Sequence, residues 1–133
     1  MDRYSNQERR KNKRIFFTNE DGIEGVFKFP DKEPITTNIM NLSSGGLQFV
    51  LDRKQIEKIA KGDHLLLEKI KGNEELNFLN DIKLEVKWIL DLQFFEHAGI
   101  GCEFKDIPTS VVELMEKFVE DIDSKKKYTV KSE

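Results

Sequence analysis

The stretch Ile82-Lys83-Leu84-Glu85-Val86-Lys87-Trp88 alternates apolar and charged residues without a break. A period of two sends successive side chains to opposite faces of an extended chain. The run therefore reads as a strand with one face in a core and the other in water. Residues 22–29, 35–42, 47–51, 64–70 and 98–104 carry similar short apolar runs, divided by turn signals such as Pro30-Asp31-Lys32-Glu33-Pro34 and Lys71-Gly72-Asn73. Several short strands at this spacing argue for an antiparallel barrel or sandwich.

Two stretches break the pattern. Residues 53–60 read as a short surface helix closed by Gly62. A longer helix starts near Pro108, with Ser110 and Glu113 at capping-box spacing. Its apolar stripe of Val111, Met115, Phe118 and Ile122, joined by Leu114 and Val119, has the period of a helix that packs on the barrel. Lys125, Lys126 and Lys127 suit the negative end of its dipole. The expected organisation is a flexible arm over residues 1–8, one domain over 9–122, and a frayed tail over 123–133.

A chain of 133 residues has room for one hydrophobic core but not two. The lone Cys102 forbids an internal disulfide and fits a reducing cytoplasm. No apolar run approaches the roughly 20 residues of a membrane helix, and the polar N-terminus does not read as a signal peptide. We expect a cytoplasmic protein without membrane insertion. Its formal net charge is −3, yet residues 1–14 hold six basic residues against two acidic ones. An acidic body repels a long phosphate backbone, so general nucleic-acid binding is not expected, whereas a basic arm can still clasp a compact anion.

Catalytic patterns are missing. His64 and His97 stand far apart, no second cysteine accompanies Cys102, Ser43 is not in a G-x-S-x-G elbow, and no Walker A or G-x-G-x-x-G loop occurs. We expect no enzyme, no metal site and no cofactor. Binding is better supported. Four of the five arginines (Arg3, Arg9, Arg10, Arg14) fall within the first fourteen residues, while lysine supplies most positive charge elsewhere. Solubility does not distinguish the two cations; a planar, bidentate fork does. Asn41-Leu42-Ser43-Ser44-Gly45-Gly46 joins two strands, and by itself is a polar hairpin turn. Beside Arg10 and Arg14 the same turn offers an amide and a hydroxyl suited to a purine edge, with glycines that let a ligand approach the backbone. The arginines add phosphate neutralisation and bidentate contact to guanine.

The R-x-x-x-R of Arg10 to Arg14 and the N-x-S-x-x-G of Asn41, Ser43 and Gly46 resemble the two marks of the PilZ family, bacterial receptors for cyclic di-GMP. Ile100-Gly101-Cys102-Glu103-Phe104 is similar to that family's G-x-x-F close of the last barrel strand. The resemblance implies a mainly β fold: a six-stranded antiparallel PilZ-type β-barrel with a C-terminal α-helix. It implies ligand contacts from Arg10, Arg14, Asn41, Ser43, Gly45 and Gly46, with Gly46 keeping the wall low. Arg9, just before the pair, implies two ligand molecules per protomer. It also implies an N-terminal arm that folds over the ligand and a separate protein partner for output. One alternative is a PilZ-like adaptor that binds no nucleotide. A small-barrel RNA binder is disfavoured because most phenylalanines sit in core patterns rather than on a basic face; the adjacent Phe94-Phe95 pair is the exception, and marks a candidate partner surface.

Overall fold

The computed structural model describes residues 13–91, 96–125 and 127–132; Arg9, Arg10, the arm and the Phe94-Phe95 pair lie outside them. Its strands are β1 (Lys13–Phe16), β2 (Glu24–Lys28), β3 (Ile35–Leu42), β4 (Gly46–Asp52), β5 (His64–Lys71), β6 (Ile82–Leu90), β7 (His97–Lys105) and β8 (Thr129–Ser132). A short helix α1 (Arg53–Ile56) follows β4, and α2 (Thr109–Lys125) precedes β8. The strands run in the order β2-β5-β6-β7-β4-β3, and a further β2–β3 pairing closes this ring of six into an antiparallel barrel. The expected fold class holds. β1 lies outside the ring against β3, and β8 lies against β1.

Alternation fills the interior as expected. Phe27 and Phe49 stack with ring centres 4.0 Å apart, among buried Ile15, Leu42, Leu47, Leu67, Leu84 and Ile100. α2 closes the core with Met115, Phe118, Val119 and Ile122, the stripe expected from its period, while Leu114 faces solvent. No helix among the described residues is long and apolar enough to cross a membrane. Burial pushes the Cys102 thiol up to about 12.

The structure differs from the expectation in two places. α1 ends at Ile56 rather than running to Ala60. The N–H of Gly62 bonds the Val86 carbonyl at 2.7 Å and Val86 N–H bonds the Asp63 carbonyl at 2.8 Å, so the sheet takes the chain after the first helical turn. Residues 123–133, set apart above as a frayed tail, contain the end of α2 and the whole of β8. Val130 pairs with Ile15 and packs on the core, and Tyr128 meets Phe17 edge to face at 5.0 Å. These contacts give the last strand its hold.

Candidate ligand-binding site

Two β-bulges decide which side chains reach the outer surface beside β1. In β3, Ile39 pairs with Phe49 but Asn41 pairs with Gln48, so Met40 is an extra residue. A bulge shifts the alternation by one. Ile39 and Leu42 therefore both face the core, and Asn41 shares the outer face with Gln48. In β6, Val86 pairs with Cys102 but Trp88 with Gly101, leaving Lys87 extra. Strict alternation would have sent Trp88 inward after Ile82, Leu84 and Val86; instead it is 38 % exposed. The outer-face row then reads Phe16, Asn41, Gln48, Gly101, Trp88 across five adjacent strands.

Arg14, two residues before Phe16 on the same face of β1, reaches into this row. Its Nη1 donates to Asn41 Oδ1 at 2.5 Å, and Asn41 Nδ2 donates to Gln48 Oε1 at 2.8 Å. Arg14 of the first motif thus meets Asn41 of the second, whose amide oxygen aims the guanidinium. Arg14 also faces Lys131 of β8 in the ladder, and the Lys131 ammonium sits 5.2 Å over the Phe16 ring. Opposed cations repel, so this corner favours an anion.

The turn after β3 is braced from within. Ser43 Oγ accepts from Gly45 N–H at 3.2 Å and donates to the Gly46 carbonyl at 3.4 Å, while Ser43 N–H bonds the same carbonyl at 2.9 Å. Asn41 and Ser43 are 2 % and 3 % exposed, and they are the buried polar residues among those described. Neither Gly45 nor Gly46 has a positive φ, so the two differ in what surrounds them rather than in backbone conformation. A Cβ on Gly46 would lie 2.1 Å from the Cys102 carbonyl oxygen, so Gly46 lets β4 and β7 approach. A Cβ on Gly45 would meet only Ser43 Oγ, at 3.9 Å.

These residues border a groove of about 260 Å³, with Arg14, Ser43 and Gly45 on one side and Lys87, Trp88 and Glu103 on the other. The indole lies over Gly101, where a Cβ would come within 2.1 Å of Trp88 Cε2. Residue identity along the sequence did not single out Trp88, Lys87 or Glu103; the only signal was a tryptophan paired across from a Gly-x-Gly. Electrostatics at the far wall are balanced. Glu103 beside Lys105 raises the lysine's pKa, and the Lys87 ammonium bonded to Glu85 lowers that carboxyl's. A second groove of about 290 Å³ holds Glu24, Asp52 and His97, with His97 Nε2 3.1 Å from Asp52 Oδ1. Its acidic lining repels a phosphate ligand, so size does not choose between the two; charge does.

The PilZ domain profile matches residues 8–121. The chain belongs to the PilZ family. Among solved PilZ-like structures, MrkH of K. pneumonia in complex with c-di-GMP superposes with a TM-score of 0.71 at 18 % identity, covering 90 % of this chain and 54 % of that one. The Bacillus subtilis inhibitor of motility MotI/DgrA gives 0.65 at 21 % identity, covering 90 % and 53 %. The PilZ domain of Escherichia coli YcgR with c-di-GMP gives 0.65 at 12 % identity, covering 90 % and 95 %. The chain therefore spans about half the length of MrkH and MotI and nearly all of the YcgR domain. At these identities the likeness speaks for the fold. Comparison with curated protein sequences finds no match.

Proposed function

We propose that this PilZ domain is a cytoplasmic receptor for cyclic di-GMP, and not a catalyst. The observation that carries the reading is that Arg14, held by Asn41, lies beside the Ser43-to-Gly46 turn at one groove. Two of the similar structures are complexes with that ligand. In this reading Arg14 grips a phosphate and a guanine edge. Asn41 and Ser43, already engaged within the protein, hold the guanidinium and the turn in place. Gly45 leaves the turn open to the ligand, and Gly46 sets the height of the wall. A groove of about 260 Å³ is small beside the roughly 300–1,000 Å³ of ordinary ligand sites, so it takes part of the ligand. Arg10 and Arg9 would complete the grip from the preceding segment, with Arg9 favouring a second ligand molecule. Closure of that arm would be the signal read by a partner protein.

Calorimetric titration with cyclic di-GMP, with GTP as control, tests the reading. Saturable binding is expected, and micromolar affinity would correspond to about −8 kcal/mol. Absence of heat at high ligand concentration would turn the assignment to a nucleotide-free adaptor. Trp88, the only tryptophan, gives an independent readout. A base stacked on the exposed indole should change its emission in step with the calorimetric isotherm. Unchanged emission at saturation would remove Trp88 from the ligand wall.

A further inference from the structure

Glu103 stands where an anion site would ordinarily exclude it. It lines the groove that Arg14 enters, on the outer face of β7, with a side chain 48 % exposed. In the ladder it lies opposite Gly46 on one side and Glu85 on the other. Two carboxylates directly across a strand pair are unfavourable. Here Lys87 and Lys105 offset the repulsion, with Lys105 Nζ 3.3 Å from Glu103 Oε1 and 3.5 Å from Glu85 Oε1. Lys87 Nζ is 3.8 Å from the same Glu103 Oε1. A carboxylate has about four lone-pair positions, and these contacts all go to Oε1, so this groove-lining side chain keeps acceptor capacity.

We propose that Glu103 reads the base of the bound nucleotide and selects guanine over adenine; the assignment rests on the receptor reading above and deepens it. The groove has a guanidinium on one wall and a carboxylate beside the Trp88 indole on the other, and Gly46 and Gly101 put no side chain between them. The walls are three inter-strand steps apart, each about 4.8 Å. A ligand that fits has its negative charge at the Arg14 end and hydrogen-bond donors at the Glu103 end. Guanine answers this with N1–H and the N2 amino group, adjacent donors that one carboxylate accepts together. Adenine presents a donor beside an acceptor nitrogen at the matching edge, so the carboxylate meets a lone pair. Failure of a hydrogen bond to a charged group discriminates by about ten- to a hundredfold.

The test compares titrations of cyclic di-GMP and cyclic di-AMP on the full chain, for wild type, Glu103→Gln and Glu85→Gln. Glu103→Gln keeps the shape of the side chain and removes its charge; thermal melting verifies that each variant is folded. Expected are a strong wild-type preference for the guanine ligand, a collapse of that preference by about ten- to a hundredfold in Glu103→Gln, and retention of it in Glu85→Gln. Wild-type binding with the preference intact in Glu103→Gln overturns the role of Glu103 alone. A wild type that binds neither ligand overturns the receptor reading and this assignment with it.

Discussion

Arg14→Ala is expected to weaken cyclic di-GMP binding by roughly thirty- to several-hundred-fold, while Lys13→Ala binds as wild type. The two cations are neighbours in sequence and on opposite faces of β1. Lys13 Nζ bonds Asp123 Oδ2 of α2 at 2.8 Å, and that partner raises its pKa; Arg14 turns to the outer face and bonds Asn41. Truncating a well-placed arginine at an interface commonly costs about 2–4 kcal/mol, a loss of roughly thirty- to several-hundred-fold. A micromolar ligand then weakens to roughly tens or hundreds of micromolar, a shift that calorimetry reads directly. A diffuse basic tail behaves otherwise, losing a little with each charge removed. Equal losses in the two variants would refute the site.

Gly46→Ala should unfold or severely weaken the protein, and Gly45→Ala should leave it intact. The new methyl at Gly46 would lie 2.1 Å from the Cys102 carbonyl oxygen and 3.1 Å from the Glu103 Cα. Both obstacles are backbone in the β4–β7 ladder, so relief requires the strands to part. Overpacking in a tight interior commonly costs about 1–3 kcal/mol, and a backbone obstacle belongs at or above the top of that range. For a domain of this size that corresponds to a fall in Tm of roughly 10 °C or more. At Gly45 the nearest atom stands 3.9 Å away, an ordinary contact. Thermal melts by circular dichroism separate the cases, and matching melts for the two variants would contradict the packing described.

Much of this was legible in the sequence because it depends on period and local chemistry. The alternation from Ile82 to Val86 gave the core face of β6, and the stripe of Met115, Phe118 and Ile122 gave the buried face of α2. Both Arg14 and Asn41 were legible as motif residues, but their contact is set by the β1–β3 register, in which Phe16 pairs with Asn41. What escaped depends on contacts between distant residues. β8 is four residues long and takes its register from Ile15, more than a hundred positions away. The separate jobs of Gly45 and Gly46 are set by a carbonyl on β7. Trp88 continues a perfect alternation, and only its pairing with Gly101 shows that the phase has changed. Arg9 and Arg10, the remaining motif cations, lie outside the described residues.

The bulge at Met40 makes the site a matter of counting as well as of spelling. Met40 is 40 % exposed and contributes one position to β3 that β4 does not match. Counted by twos from Ile39, Asn41 would face the core and Leu42 the water; the extra residue reverses both. A chain lacking only Met40 would keep Asn41, Ser43 and Gly46 in their motif, with the asparagine directly after Ile39. Its β3 would have a regular pleat in which the asparagine still faces outward opposite Gln48 and the leucine still faces the core opposite Leu47. Such a deletion should keep both the fold and the binding, measurable by the same titration and melt; loss of both would show that the bulge itself shapes the site. Relatives with and without the extra residue thus present the same face to a ligand.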